Sequence, residues 1–212
     1  MGGGYNGAFL SSVSAYRPGQ AACPLPSLPA VLWSPTLDSV AGLPTACGGN
    51  RNYTTARTCL QLEGSAWRQV ATLQEERVGH YSWYLPEGLL LLGGRSTGGG
   101  HSRTTELVVA TGDQQPGYRF SMDTERSEGC SIITEGGLVI IGGSVGDDWM
   151  WYSTRVTMFS AEGQSTELPG LRTARGYPGC GKVIIGQQEV RRTVTPCPCS
   201  PLPPGAGGGR RE

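Results

Sequence analysis

The stretch Gly88-Leu89-Leu90-Leu91-Leu92-Gly93-Gly94 decides the reading of this chain, because it returns at a nearly fixed distance. It recurs as Gly137-Leu138-Val139-Ile140-Ile141-Gly142-Gly143. Earlier glycine pairs stand at Gly3-Gly4 and Gly48-Gly49, so successive pairs are 45, 45 and 49 residues apart. Another 44 residues beyond Gly142, Val183-Ile184-Ile185-Gly186-Gln187 keeps the apolar approach and replaces the second glycine. Four apolar residues closed by a glycine pair read as a strand buried on both faces, running into a turn that needs positive φ.

Each unit then continues alike. A polar loop leads to a second strand, at Ser12–Tyr16, Arg57–Leu62, Thr105–Val109 and Arg155–Phe159. A glycine turn follows, at Pro18-Gly19, Glu63-Gly64, Thr111-Gly112 or Glu162-Gly163, and after it an outer segment carrying Trp67, Tyr118 and Phe120, or Leu168. Three units end on an arginine upstream of a glycine: Arg77…Gly79-His80, Arg126…Gly129-Cys130 and Arg175…Gly179-Cys180. Four short strands per unit, all in phase, describe a β-propeller blade, since one four-stranded sheet cannot bury both faces without neighbours. Strands are expected near 8–17, 43–48, 57–63, 66–71, 79–84, 88–93, 104–110, 129–134, 137–142, 154–160 and 181–186, with almost no helix.

The apolar run before Gly-Gly, the aromatic Trp67 that follows Gly49, and the Arg77-to-His80 element resemble the kelch family over about residues 1–187. The resemblance implies an all-β fold of kelch-type propeller blades in an incomplete ring, with units starting near 3, 48, 93 and 142 and a partial one near 183. The first unit departs from it, carrying Val31-Leu32-Trp33-Ser34-Pro35 where the arginine element belongs. Kelch domains usually have five to seven blades, and only Gly2 separates Met1 from the first glycine pair. The chain is therefore expected to be a fragment of a larger kelch protein; the alternative is a short isoform with a flexible tail. Residues 191–212 are Pro/Gly-rich without periodicity and read as a disordered tail.

Composition narrows the function. Of 212 residues 34 are glycine and 15 proline, which suits many short strands and turns. Seventeen basic and 17 acidic residues balance, leaving no electrostatic footprint for nucleic acid. No apolar run approaches the roughly 18 residues that span a bilayer, and MGGGYNGAFL is not a signal peptide as written. Compartment stays open, cytoplasmic or extracellular, because seven cysteines leave at least one unpaired within the chain.

In kelch propellers the loops after the glycine pairs and the arginine segments line one rim that binds partner peptides. The resemblance places on it Arg51, Asn52 and Tyr53; Arg95, Ser96, His101, Ser102 and Arg103; Asp147, Asp148, Trp149, Met150 and Trp151; and Arg77, Arg126 and Arg175. Arginines converging there favour an acidic peptide; the alternative is that the phased arginines brace neighbouring blades. Trp149 and Trp151 are interface anchors or packing residues on the same footing. Cys47 and Cys59 flank the second glycine pair, where a hairpin places them on facing strands at disulfide distance; the alternative is two buried thiols. Asn52-Tyr53-Thr54 matches the N-glycosylation pattern. His80 sits in phase with Cys130 and Cys180 and reads as a packing residue, and Cys197-Pro198-Cys199 is a lone C-x-C. The expected function is thus a non-catalytic protein-interaction module with no cofactor and no metal site. The alternatives are an extracellular carbohydrate-binding propeller, or part of a kelch-fold copper oxidase whose catalytic residues are absent here.

Overall fold

The computed structural model describes residues 10–15, 21–51, 54–98, 100–109, 117–146 and 151–181. Among these residues every element is a strand and there is no helix. In chain order the strands are β1 (Val13–Ala15), β2 (Cys23–Leu25), β3 (Thr36–Val40), β4 (Leu43–Cys47), β5 (Asn50–Arg51), β6 (Thr54–Thr55), β7 (Thr58–Glu63) and β8 (Ala66–Thr72). They continue with β9 (Tyr81–Leu85), β10 (Gly88–Leu92), β11 (Thr104–Val109), β12 (Gly117–Ser121), β13 (Cys130–Thr134), β14 (Gly137–Ile141), β15 (Val156–Phe159) and β16 (Ser165–Leu168).

Three antiparallel four-stranded sheets result, ordered β3-β4-β7-β8, β9-β10-β11-β12 and β13-β14-β15-β16. Each is a meander, its strands side by side in chain order. Strand β1 pairs with β2, and β5 with β6, as separate two-stranded ribbons. The first strand of the middle sheet, β9, lies against both β3 and β13, so the sheets stack through their leading strands.

The unbroken apolar run of β10 has a direct physical origin. Successive side chains of a strand point to opposite faces. Leu89 and Leu91 enter a cluster with Val40, Cys47, Cys59 and Leu73 of the first sheet and its edges. Leu90 and Leu92 enter a second cluster with Leu138, Ile140 and Phe159 of the third sheet. All four leucines are fully buried. At about 1.5–3 kcal/mol per fully buried side chain, β10 alone contributes roughly 6–12 kcal/mol of gross burial, an upper figure because denatured chains already hide some surface. A third cluster joins Val13, Leu28, Leu32 and Ala46, laying the β1–β2 ribbon on the first sheet.

Most expected strands fall within two residues of their observed bounds; the expected 8–17 strand does not, since of its described residues only Val13–Ala15 form β1. The outer segments carrying Phe120 and Leu168 are β12 and β16. The expected 79–84 strand begins later, at Tyr81, because Gly79 lies at φ 63° before it. Strands β2, β3, β5 and β6 are additional; β3, Thr36-Leu37-Asp38-Ser39-Val40, has only Val40 buried and so carries no apolar run. The expected 181–186 strand and the 191–212 tail lie outside the described residues, Gly181 apart.

Candidate functional site

The described glycine pairs close one end of each four-stranded sheet in the same way. Gly48, Gly93 and Gly142 have φ of 61°, 63° and 63°, and their partners Gly49, Gly94 and Gly143 have φ of 90°, 95° and 102°. The second glycine of each pair donates its N–H to the carbonyl of a phased arginine: Gly49 to Arg77 at 2.8 Å, Gly94 to Arg126 at 3.0 Å, Gly143 to Arg175 at 2.8 Å. A Cβ on Gly93 would lie 2.5 Å from the Arg126 carbonyl oxygen, so no side chain fits there. Each arginine backbone is thus fastened to one sheet just before the chain enters the next.

The arginine side chains reach into that next sheet. Arg77, 0% exposed, donates Nε and Nη2 to Glu106 Oε1 at 3.0 and 2.8 Å, and Nη1 to the carbonyls of Gly93 and Thr104 at 2.6 and 3.1 Å. Arg126, also 0% exposed, repeats the geometry toward the third sheet through Thr157 Oγ1 at 2.5 Å and the Arg155 carbonyl at 3.5 Å, with Asp123 at 3.5 Å. These two arginines brace adjacent sheets, and their expected place on a partner surface is corrected: a guanidinium with no exposed area touches no partner. Arg95 is likewise buried, at 4%. Arg51, Arg103 and Arg175 are exposed.

Two residues past each arginine position the backbone turns left-handed. Ser34, Gly79, Glu128 and Tyr177 have φ of 52°, 63°, 58° and 50°. Gly79 N–H donates to the Ser34 carbonyl at 3.3 Å, Glu128 to Gly79 at 2.7 Å, and Tyr177 to Glu128 at 2.7 Å, a hydrogen-bonded stair from unit to unit. Positive φ at a glutamate and a tyrosine is costly, about 1–3 kcal/mol each, and such strain gathers at functional sites. Burial pushes the Glu128 carboxyl above its usual range, opposed by a hydrogen bond from Tyr177 and the charge of Arg95. Burial and the same bond raise the Tyr177 hydroxyl in turn.

The stair also corrects one alignment. Counted from the arginines, β9 and β13 both open on the fourth residue, so Tyr81 matches Cys130 and His80 falls one step out of phase with it. His80 packs on Gly48 and Gly94, and its Nε2 lies 2.9 Å from Thr36 Oγ1. Burial, aided by Arg77, lowers its pKa to about 3, which leaves the ring neutral.

Among the described residues, two clefts open at this end. One, of about 600 Å³, lies between the first and second sheets and is lined by Arg57, Glu75, Glu76, His101, Arg103 and Glu125 among others, a mixed-charge wall. The other, of about 560 Å³, is lined by Tyr152, Arg175 and Tyr177 with residues 174, 176, 178 and 179. Trp151, Tyr152 and Tyr177 are 64%, 40% and 56% exposed, and Gly176 sits against the Tyr152 ring. They are three of only six large hydrophobic side chains exposed among the described residues. The same fold occurs in YjhT. Its solved structure superposes with TM-score 0.67 at 10% identity, over 78% of this chain and 61% of that chain. This chain therefore spans less than two thirds of that neighbour, and likeness at this identity concerns the fold alone. No family model and no curated protein matches the sequence.

Of the expected rim residues, Ser96, His101, Ser102 and Arg103 line the mixed-charge cleft and Arg175 the aromatic one. Arg51 stands apart in the β5–β6 ribbon. Asn52, Tyr53, Asp147, Asp148, Trp149 and Met150 lie outside the described residues, and so does the side chain of the glycosylation pattern. Cys47 and Cys59 face each other across β4 and β7 and are joined, both fully buried. A second disulfide, Cys130–Cys180, was not foreseen. Sequence reading also missed Glu128, Tyr152 and Tyr177. The recurrence of Ser34, Gly79, Glu128 and Tyr177 at spacings of 45, 49 and 49 was available, but only one of the four is glycine.

Proposed function

We propose that the sheets are kelch-type propeller blades and that the chain is a protein-interaction module, binding through the face where the glycine-pair loops gather. Tyr152 and Tyr177 beside Arg175, with the exposed Trp151 next to Tyr152 in the chain, carry this reading. Tryptophan, tyrosine and arginine are the residues that dominate interface energetics, and loops on a fixed scaffold are where recognition sits. A cleft walled by two tyrosines and an arginine suits a peptide with one apolar side chain followed by a carboxylate. The aromatic part anchors; the arginine sets orientation and on-rate. The braces and the glycine turns are scaffold, which fits a face whose loops differ while its frame repeats.

The test is selection of peptides from a displayed random library on the full chain, followed by titration against variants. Trp151→Ala is expected to weaken the selected peptide by about tenfold or more, equivalent to about 1.4 kcal/mol, with the melting temperature unchanged. Arg175→Ala is expected to act more weakly and to lose its effect at high salt. Ile133→Ala, also exposed but on β13, serves as the control and leaves affinity alone. If the tryptophan change shifts melting without touching affinity, Trp151 is a packing residue and the reading fails. Failure to select a peptide, together with binding on a glycan array, would favour the carbohydrate-binding alternative, which the exposed aromatic residues also suit.

A further inference from the structure

The two disulfides differ in a way that assigns them different roles. Cys47 and Cys59 are both 0% exposed, sealed in the cluster between the first and second sheets. Cys180 is exposed and Cys130, the first residue of β13, is half-buried. Thiol–disulfide exchange needs a thiolate to reach a sulfur, so access decides which bond reacts.

The exposed bond closes a particular loop. Residues 169–181 carry no strand. Their backbone attachments run from Leu171 N–H on the Thr154 carbonyl at 2.7 Å, through Arg175 on Ser153 at 3.2 Å, to Tyr177 on Glu128 at 2.7 Å. Beyond Tyr177, among the described residues, the next attachment is Cys180 to Cys130. The strap between Arg175 and Cys180 carries Tyr177, left-handed at φ 50° and hydrogen-bonded to the buried Glu128, and it forms most of one cleft's wall. A tyrosine held at positive φ is strained and stays only where its surroundings constrain it. The disulfide is the covalent part of that constraint.

We propose that Cys130–Cys180 is a reversible thiol-modification site, a redox clasp that holds the 175–180 strap and its Tyr177 closed over Glu128, while Cys47–Cys59 is permanent. A dithiol reductant opens the clasp by two exchanges: its first thiolate forms a mixed disulfide with one cysteine and releases the other as a thiol. Its second thiol then displaces the remaining protein sulfur. Two protein thiols form and the reductant leaves as its own disulfide. This inference does not require the peptide-binding reading, because its readouts need no partner.

The experiment uses the full chain. The protein is exposed to a graded series of dithiothreitol without denaturant, alkylated, and mapped by mass spectrometry; parallel samples receive a short trypsin pulse. Cys130 and Cys180 are expected to be labelled together, at a reductant level about tenfold or more below the one that labels Cys47 and Cys59. Over that same range, cleavage after the exposed Arg172 and Arg175 is expected to accelerate about tenfold or more, as local opening exposes the strap. Reoxidation is expected to restore resistance, and Cys130→Ser with Cys180→Ser to be cleaved rapidly without any reductant. Labelling of Cys130 or Cys180 before reduction would overturn the proposal. So would loss of both disulfides in step, or cleavage rates indifferent to reduction.

Discussion

Replacing Glu106 by glutamine would leave Arg77 charged, fully buried and without its carboxylate. In the native protein one oxygen of Glu106 accepts from Arg77 Nε at 3.0 Å and Nη2 at 2.8 Å, and the carboxylate also receives the backbone N–H groups of Gln74 at 2.6 Å and Glu75 at 3.2 Å. Both side chains of the pair are 0% exposed. Breaking a buried pair from one side costs about 3–5 kcal/mol, since the remaining charge stays desolvated. The new amide also brings a donor where Gln74 already donates. Some relief is built in: Glu75 Oε2 lies 3.3 Å from Arg77 Nη2. The sister arginine, Arg126, meets Thr157 where Arg77 meets Glu106 and relies on Asp123 at 3.5 Å. The lower end of the range, about 3 kcal/mol, is therefore expected for Glu106→Gln. For a chain of this size that lowers the melting temperature by roughly 6–12 °C. Thermal unfolding followed by calorimetry measures it, with Arg77→Met, Glu106→Leu as the uncharged double variant expected to recover most of the loss. A drop below about 2 °C in Glu106→Gln would mean that solvent reaches Arg77, and the bracing account would be wrong.

Two further predictions concern the same end of the sheets. His80 stays neutral in the folded state down to about pH 3, against an unfolded value near 6.5, so the unfolded chain binds more protons between them. Stability is therefore lost as pH falls below about 6.5, by up to about 1.4 kcal/mol per unit. Denaturant titrations at about pH 7 and about pH 4.5 are expected to show a steeper loss for the native protein than for His80→Gln; equal slopes would exclude His80 as the titrating group. Glu128, its carboxyl pushed upward, acts with the opposite sign, stabilising as pH falls through its raised value, but it is common to both proteins. Gly94→Val puts a β-branched side chain at φ 95° with its Cβ 2.7 Å from that of His80, and a loss of about 3 kcal/mol or more is expected in denaturant unfolding. An unmoved midpoint would show that the glycine pair is not required.

Periodicity carried the fold. The apolar run of β10 must be buried on both faces, and the residues that do so on its two sides come from sheets one unit earlier and one unit later. A repeat at near-constant spacing states that neighbourhood without any coordinates. The polar β3 escaped because its burial comes from position beside β9, not from its own side chains. The pairing of Cys47 with Cys59 was open to a local argument, since a hairpin of twelve residues brings facing positions together. Cys130–Cys180 was not, because a separation of 50 residues acquires meaning only after the units are stacked.

The site divides in the same way. That an arginine recurs in phase is a statement about sequence; whether it faces a partner or a neighbour is set by which sheet covers it. Arg77 and Arg126 are covered, and Arg175 in the identical phase is exposed. Glu128 and Tyr177 recur in phase with Gly79, but their residue types carry no turn signal, since left-handed backbone at a non-glycine residue is imposed by hydrogen bonds from the adjacent units. Local sequence dictates what a residue prefers when alone. The strained, buried and charged groups at this end exist against those preferences, held by contacts between units that only the assembled structure supplies.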